Sequence, residues 1–108
     1  MNKLTVTLAC LMVAASGSSL GADYEAGKKK VEEVCKACHG ADGNQPLTPE
    51  TPRLGGQYYD YLQHSLKAYR SGARENPLMS PMAKPLSDQE IKDVAWYFSK
   101  QTGLMSKY

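Results

Sequence analysis

Two cysteines and a histidine within one pentapeptide constrain this chain more than any other feature. The run Cys35-Lys36-Ala37-Cys38-His39 places two thiols three residues apart, with an imidazole directly after the second. On one helical turn, two such sulfurs can add to the two vinyl groups along one edge of a porphyrin. The histidine that follows can then reach the iron from the proximal side. The pentapeptide therefore predicts one covalently bound haem c, attached at Cys35 and Cys38, with His39 as the proximal iron ligand.

A Cys-x-x-Cys pair has three other uses, and the sequence fits each of them poorly. A thioredoxin-like redox pair opens a helix after a β-strand, and no strand pattern precedes Cys35. A structural zinc site needs a second ligand pair, but His39 is too close to Cys38 for comfortable tetrahedral geometry and His64 is the only other histidine. A plain disulfide would have to close a gap of two residues. Haem attachment is favoured over all three.

The first 22 residues have the pattern of a secretory signal peptide. Lys3 provides a positive charge, the run 4–15 is apolar, and small residues dominate 16–22. The apolar run is shorter than the roughly 17 to 25 residues of a membrane-spanning helix. We therefore expect cleavage after Ala22, with Gly21 as the second choice, instead of an uncleaved membrane anchor. The prediction is a soluble, exported, periplasmic protein.

The remaining residues, 23–108, have the length and composition of one globular domain. The whole chain is 42% hydrophobic and 22% charged with a formal net charge of +2, so neither a multidomain enzyme nor a nucleic-acid partner is expected. Cys10 lies inside the apolar leader and is interpreted as a small apolar filler that the mature protein lacks. A domain this small buries little surface, so a bound cofactor that stabilises it would be unsurprising.

Hydrophobic spacing predicts an all-α domain with no convincing strand. The first helix is expected from Asp23 to Cys38 and the second over Gln57 to Ser71, with long irregular segments at 40–56 and 72–86. The inward face of the second helix is expected to comprise Tyr58, Leu62, Leu66 and Tyr69.

The last helix is predicted from a capping box. The Ser87 hydroxyl and the Glu90 carboxylate can each accept a hydrogen bond from the other residue's backbone N–H. The helix should run to about Gln101, with Gly103 near its end. Its inward face is expected to comprise Ile91, Val94, Ala95 and Phe98.

With these motifs, the chain resembles the small bacterial class I c-type cytochromes, in particular single-haem cytochrome c-553 proteins and the domains of cytochrome c-4. The resemblance covers nearly all of residues 24–101 and implies one cytochrome c domain over 23–108. It implies three to four helices wrapped around one haem, with the first and last helices crossing at Gly27 and Tyr97. The matching motifs are Ala26-Gly27, the run Cys35 to Asn44, Pro52 to Gln57, Tyr61-Leu62, Gly72 to Arg74, the loop that holds Met79 and Met82, and Leu86 to Asp88.

The resemblance also implies a methionine as the distal iron ligand, because a thioether sulfur favours ferrous iron and raises the potential. In such proteins the ligand usually lies eight residues before the serine that begins the last helix, which selects Met79. Met82 is the second choice and otherwise packs against the haem edge. His64 is off the inward face of its helix and is expected to be a partly solvated surface residue.

The resemblance assigns one further residue beside the proximal ligand, and two arginines are considered with it. Pro52 matches the position whose backbone carbonyl accepts a hydrogen bond from the proximal histidine and makes it a stronger donor. Arg53 and Arg74 either help to neutralise haem propionates or are solvated surface residues.

The predicted function is electron transfer between redox proteins, without enzymatic activity of the chain itself. With His39 and Met79 both on iron, no coordination position is open for oxygen, peroxide or nitrite. The expected partners are a redox donor and acceptor, such as a flavoprotein dehydrogenase or a terminal oxidase, and the chain is expected to be a monomer or a subunit of a small complex.

Two alternatives remain open. The chain can instead be the cytochrome subunit of a stable periplasmic dehydrogenase complex such as a flavocytochrome c sulfide dehydrogenase. A faint indication is an apolar surface that Trp96, which looks exposed in the sequence, would form with Leu104, Met105 and Tyr108. Residues of this kind more often cover the chain's own core. A haem enzyme or gas sensor would need the sulfur ligand to be absent or labile.

Overall fold

The computed structural model describes residues 21–103, in which all regular structure is helical and no strand occurs. The all-α prediction is therefore confirmed for this part of the chain. The predicted leader before Gly21 lies outside the described residues, together with Cys10, Leu104, Met105 and Tyr108. The elements are α1 (Tyr24–Lys30), a π-helical turn π1 (Val31–Cys35), α2 (Lys36–His39), α3 (Tyr59–Ser71), α4 (Met79–Ala83) and α5 (Asp88–Ser99).

The predicted first helix is present as a helical run made of α1, π1 and α2. Its start is capped by Asp23, whose carboxylate accepts a hydrogen bond from the Ala26 backbone N–H at 3.0 Å. The backbone stays right-handed helical at the two junctions, with φ of −60° at Val31 and −58° at Lys36. Gly40 ends the run with φ of +85°, which L side chains rarely adopt. The pentapeptide thus lies on one continuous helical run, whose wider π-helical turn ends at its first residue, Cys35, and such turns often occur at functional sites.

Helix α3 begins at Tyr59, two residues later than predicted. Tyr58 is still extended, with φ of −63° and ψ of 135°, and its N–H donates to the Gln57 side-chain oxygen at 2.8 Å. Tyr58 is consequently 55% exposed, so its assignment to the inward face is wrong, whereas Leu62 is buried as predicted. Tyr59 packs in its place, with its ring at an edge-to-face distance of 5.5 Å from Trp96.

Helix α5 begins as the capping box predicts and ends at Ser99 instead of Gln101. The Ser87 hydroxyl accepts from the Glu90 N–H at 3.0 Å, and the Glu90 carboxylate accepts from the Ser87 N–H at 3.0 Å. The four residues predicted to face inward are all buried: Ile91, Val94, Ala95 and Phe98.

Helices α1 and α5 cross at Gly27. A Cβ atom there would collide with the Asp93 carbonyl oxygen and lie 3.1 Å from the Tyr97 Cβ. The Tyr97 ring contacts that of Tyr24 at a centroid distance of 5.1 Å, and its hydroxyl donates to the Ala41 carbonyl at 2.6 Å. The expected crossing at Gly27 and Tyr97 is confirmed, and it fixes the first and last helices around the segment that bears the cysteines.

The segment 72–86 was expected to be irregular, but it contains the short helix α4. Its prolines indicated a loop, yet Pro77 lies two residues before α4 and Pro81 lies within it. Proline is tolerated in a first helical turn, because N–H groups there have no intrahelical acceptor to lose. The result is that Met79 and Met82 lie on a helix.

Candidate functional site

His39 is the most constrained side chain of the candidate site. It is the last residue of α2 and is 5% exposed. Its ring Nδ1 lies 2.9 Å from the Pro52 carbonyl oxygen, as expected. Because a carbonyl oxygen can only accept, Nδ1 carries the hydrogen and donates it, which leaves the lone pair on Nε2. The imidazole is therefore set in the tautomer that binds a metal through Nε2.

The long loop after α2 folds back over the pentapeptide and delivers the Pro52 carbonyl. The Gln45 N–H donates to the His39 carbonyl at 3.1 Å, and the Leu47 N–H donates to the Cys38 carbonyl at 2.8 Å. These bonds satisfy carbonyl groups at the end of the helix, where no intrahelical donor follows. Hydrogen bonds to Cys38 and His39 thus hold the loop 40–56 in place, and the same loop holds the His39 ring through Pro52.

Cys35 and Cys38 are free thiols three residues apart in the helical run, where residues at this spacing are neighbours on one side. Cys35 is half-buried and Cys38 is exposed. Burial is the main cause that raises the pKa of the Cys35 thiol to about 11; the nearby Cys38 raises it further and the charge of Lys30 opposes the shift.

Within 21–103 these thiols do not have the features of the alternatives. Reactive redox cysteines have lowered pKa values, whereas that of Cys35 is raised, so the thiol stays protonated at neutral pH. No strand precedes Cys35 in the described chain, and the two sulfurs are not joined as a disulfide. Among the described side chains, no three His, Cys, Asp or Glu residues are grouped as a metal-ion site.

The donor set fits a covalently held haem. Two thiols at helical spacing are available for thioethers, and the adjacent imidazole has a free nitrogen for iron. Cys35 also packs against the core, which anchors the point of attachment.

The two methionine candidates for the distal position lie one turn apart on α4. Met79 is its first residue and is half-buried, whereas Met82 is 49% exposed. Their spacing of three residues places them on the same side of the helix. Met79 is the less exposed of the two, which favours it as the distal ligand, and this ligation stays a prediction.

His64 and the arginines lie on the surface. His64 is exposed, as predicted, beside a shallow groove that is also lined by Lys67 and Arg74. Arg53 is exposed, and the Arg74 guanidinium lies 4.8 Å from the centroid of the Tyr69 ring. For both arginines, neutralisation of the haem propionates and a solvated surface position therefore stay predictions.

Trp96 does not have the exposure that the sequence suggested. It is half-buried, with its ring against Tyr59 and 3.9 Å from the Lys100 ammonium group. The described part of the suggested apolar surface is therefore engaged within the chain.

Two residues that hold the methionine segment were missed in the sequence. Arg70 donates to the Leu86 carbonyl at 3.0 Å and to the Asp88 carboxylate at 2.6 Å, which lowers the pKa of Asp88. Asn76 accepts hydrogen bonds from the backbone N–H of Met79 and of Leu78. The Asn-Pro pair at 76–77 is a recognisable start signal of a helix, but a contact of Arg70 across 16 residues has no local signal.

Comparison with known proteins gives consistent results. The family described as Cytochrome c matches residues 24–102. Cytochrome c-554(548) of Halomonas halodenitrificans is 50% identical over 82 residues, which cover 73% of this chain and 96% of that protein. Cytochrome c4 of Stutzerimonas stutzeri is 40% identical over 112 residues, which cover 95% of this chain and 52% of that protein. The thiosulfate dehydrogenase electron acceptor of Thiomonas intermedia is 42% identical over 94 residues, which cover 87% of this chain and 41% of that protein.

The fold comparison agrees with the sequence matches. The crystal structure of reduced recombinant cytochrome c4 from Pseudomonas stutzeri superposes with a TM-score of 0.70 at 41% identity, covering 78% of this chain and 48% of that one. The chain thus spans about half the length of these c4 proteins and nearly all of the Halomonas protein.

Proposed function

The chain belongs to the cytochrome c family, and on that premise we propose that it is a periplasmic single-haem electron carrier whose iron is held between His39 and Met79. Covalent haem c and electron transfer are what the family provides, as the sequence predicted. The parts that go beyond the family are the periplasmic location, the single haem, the two axial ligands and the redox partners. One Cys-x-x-Cys-His motif in the chain supports the single haem.

The observation that carries the proposal is the bond from His39 Nδ1 to the Pro52 carbonyl. It fixes the tautomer and restrains the ring, and it makes Nε2 a stronger electron donor. Cys35 and Cys38 would hold the haem through thioethers, and His39 would bind its iron through Nε2. When bound, the haem supplies a one-electron change between ferrous and ferric iron.

Met79 is the proposed distal ligand because it is the less exposed of the two methionines on α4. A thioether is a soft ligand that stabilises ferrous iron. If His39 and Met79 both held the iron, small molecules would have no open coordination position, and the chain would pass electrons without chemistry on a substrate.

The reduction potential tests this assignment. Replacing Met79 by His in the holoprotein should lower the potential on the order of 100 mV, because an imidazole favours ferric iron more than a thioether does. The matched variant Met82→His should leave the potential near that of the wild type. A shift in Met82→His and none in Met79→His would assign the ligand to Met82 instead.

Export is supported by the leader pattern at residues 1–22. Within 21–103, no helix is long and apolar enough to cross a membrane. Periplasmic fractionation followed by intact mass measurement should recover residues 23–108 with one haem. Recovery of the full chain in the membrane fraction would contradict the export proposal.

A periplasmic dehydrogenase is the proposed electron donor. The observation in its favour is the similarity to the Thiomonas intermedia protein that is named as the electron acceptor of thiosulfate dehydrogenase. We favour a transient encounter over a stable subunit of a flavocytochrome c type, because Trp96 is packed within the chain. Purification of the chain alone in reducible form would support the free carrier, and constant co-purification with a flavoprotein would support the subunit.

A further inference from the structure

The backbone that bears Met79 is held by one polar side chain three residues earlier. The Asn76 Oδ1 atom accepts two hydrogen bonds, from the N–H of Leu78 at 2.9 Å and from the N–H of Met79 at 3.0 Å. The Asn76 carbonyl accepts from the Ser80 N–H at 3.0 Å, and the Asn76 N–H donates to the Ser80 hydroxyl at 3.0 Å. Four hydrogen bonds therefore join Asn76 to Leu78, Met79 and Ser80.

The bonds to the Asn76 side chain cap the N-terminal end of α4. The first N–H groups of a helix have no carbonyl four residues earlier to accept them. Asn76 accepts for two of these groups, and Pro77 has no N–H that would need an acceptor. The orientation of the first turn of α4, and with it the Cα–Cβ bond of Met79, is thus set by Asn76.

The C-terminal end of the segment that bears Met79, residues 83–86, is held by burial and by a contact with α3. Ala83 is fully buried, and Arg70 on α3 donates to the Leu86 carbonyl at 3.0 Å. The segment between the two anchors is short, so the position of Met79 responds directly to the bonds at Asn76.

We propose that Asn76 is a positioning residue for Met79: its side-chain oxygen fixes the backbone from which the thioether reaches the iron. This inference rests on the proposed ligation by Met79. Asn76 itself does not bind the iron. It limits how often the Met79 sulfur dissociates from the iron. Loss of the cap should therefore increase the fraction of reduced protein whose distal position is open.

The test measures the rate at which the reduced holoprotein binds carbon monoxide, because binding requires the distal position to open. Asn76→Ala should bind about five to ten times faster than the wild type, which corresponds to about 1 to 1.4 kcal/mol, the usual size of a helix cap. Asn76→Asp keeps the accepting oxygen and should remain within about twofold of the wild type. Ser80→Ala removes only the reciprocal bond and should increase the rate by about twofold.

A matched control separates positioning from general stability. Ser87→Ala removes a cap of the same kind from α5, where no ligand is proposed, so it should lower the melting temperature but not change carbon monoxide binding. The oxidised proteins provide a second readout, since Asn76→Ala should weaken the far-red absorption band of methionine-ligated ferric haem and Ser87→Ala should not.

The possible outcomes distinguish the positioning role of Asn76 from the proposed ligation of the iron by Met79. If Met79→Ala opens the iron while Asn76→Ala and Ser80→Ala bind carbon monoxide at the wild-type rate, the positioning role is wrong and the ligand stands. If Ser87→Ala increased the rate of carbon monoxide binding as much as Asn76→Ala does, the positioning role of Asn76 would also be wrong. If Met79→Ala binds carbon monoxide as slowly as the wild type does, the ligand assignment itself is wrong. Should Asn76→Ala fail to fold, Ser80→Ala decides the question.

Discussion

His39 and Pro52 are 13 residues apart in the chain, and the Nδ1 atom of the histidine donates a 2.9 Å hydrogen bond to the proline carbonyl. The bond joins the end of the helical run to the loop that folds back over it. Its effect is both geometric and electronic, because it restrains the ring and increases the electron donation of Nε2. Both the reduction potential of the haem and its covalent attachment depend on this site.

Loosening the Pro52 backbone should raise the reduction potential of the holoprotein. Pro52→Ala keeps the carbonyl but releases φ, so the bond to His39 weakens and ferric iron loses part of its stabilisation. We expect a rise on the order of tens of millivolts, measured by spectroelectrochemical titration; 59 mV corresponds to a tenfold change for one electron. Pro49→Ala, in an exposed part of the same loop, is the control. A potential unchanged in Pro52→Ala would contradict the electronic role of this bond.

Covalent attachment should depend on both cysteines of the pentapeptide. Haem should stay with the wild-type chain through acidified acetone and be extracted from a Cys35→Ala, Cys38→Ala double variant. Cys10→Ser is the matched cysteine control, because the predicted cleavage removes it; its exported product should have the mass of the wild type. Haem retained by the double variant would show that it is not held through these sulfurs.

The crossing of α1 and α5 should not tolerate a methyl group at Gly27. A Cβ there meets the Asp93 carbonyl oxygen, which belongs to helix backbone and cannot move aside locally. Gly27→Ala should reduce the free energy of unfolding by about 1 to 3 kcal/mol in urea titrations. Lys28→Ala changes an exposed neighbour on the same helix and should stay within about 0.5 kcal/mol of the wild type. Equal stability of the two variants would mean that the helices do not cross at Gly27.

The ion pair between Lys30 and Glu90 should make stability depend on acid pH. Their charged atoms are 2.7 Å apart, and the hydrogen bond from Lys30, followed by that from the Ser87 N–H, lowers the pKa of Glu90. A carboxylate with a lowered folded-state pKa stabilises the fold above its unfolded pKa, about 4.3, and this contribution disappears as the pH falls through the folded value.

Glu90→Gln should therefore melt below the wild type at pH 7, and the difference should shrink progressively as the pH falls below about 4.3. Melting curves of both proteins between neutral and acid pH measure this convergence. Lys30→Gln should give the same pattern, because it removes the other half of the pair. A gap of constant size across the acid range would show that the charge of Glu90 contributes nothing to folding.

The features that could be predicted are those encoded by neighbouring residues. The capping box of Ser87 and Glu90 and the spacing of Cys35, Cys38 and His39 are local patterns, and each is found where the sequence places it. The assignment of the Pro52 carbonyl needed the family resemblance, since nothing local relates it to His39.

The features that were missed depend on choices that local patterns leave open. Tyr58 and Tyr59 are both aromatic, and the extended backbone at Tyr58 decides which of them packs inward. Pro77 and Pro81 indicated a loop, although prolines also suit the start of a helix such as α4. The contact between Arg70 and the Leu86 carbonyl arises only when α3 and the end of the methionine segment meet in space.

Carbon monoxide difference spectra of the reduced holoprotein show whether His39 and Met79 both bind the iron. Directly after mixing, the wild type and Met82→Ala should show almost no spectral change, because they can bind carbon monoxide only slowly, as the distal ligand dissociates, whereas Met79→Ala should bind it at once. Ready binding by the wild type would show that Met79 does not close the distal position and would indicate an open iron of the kind found in a haem enzyme or a gas sensor.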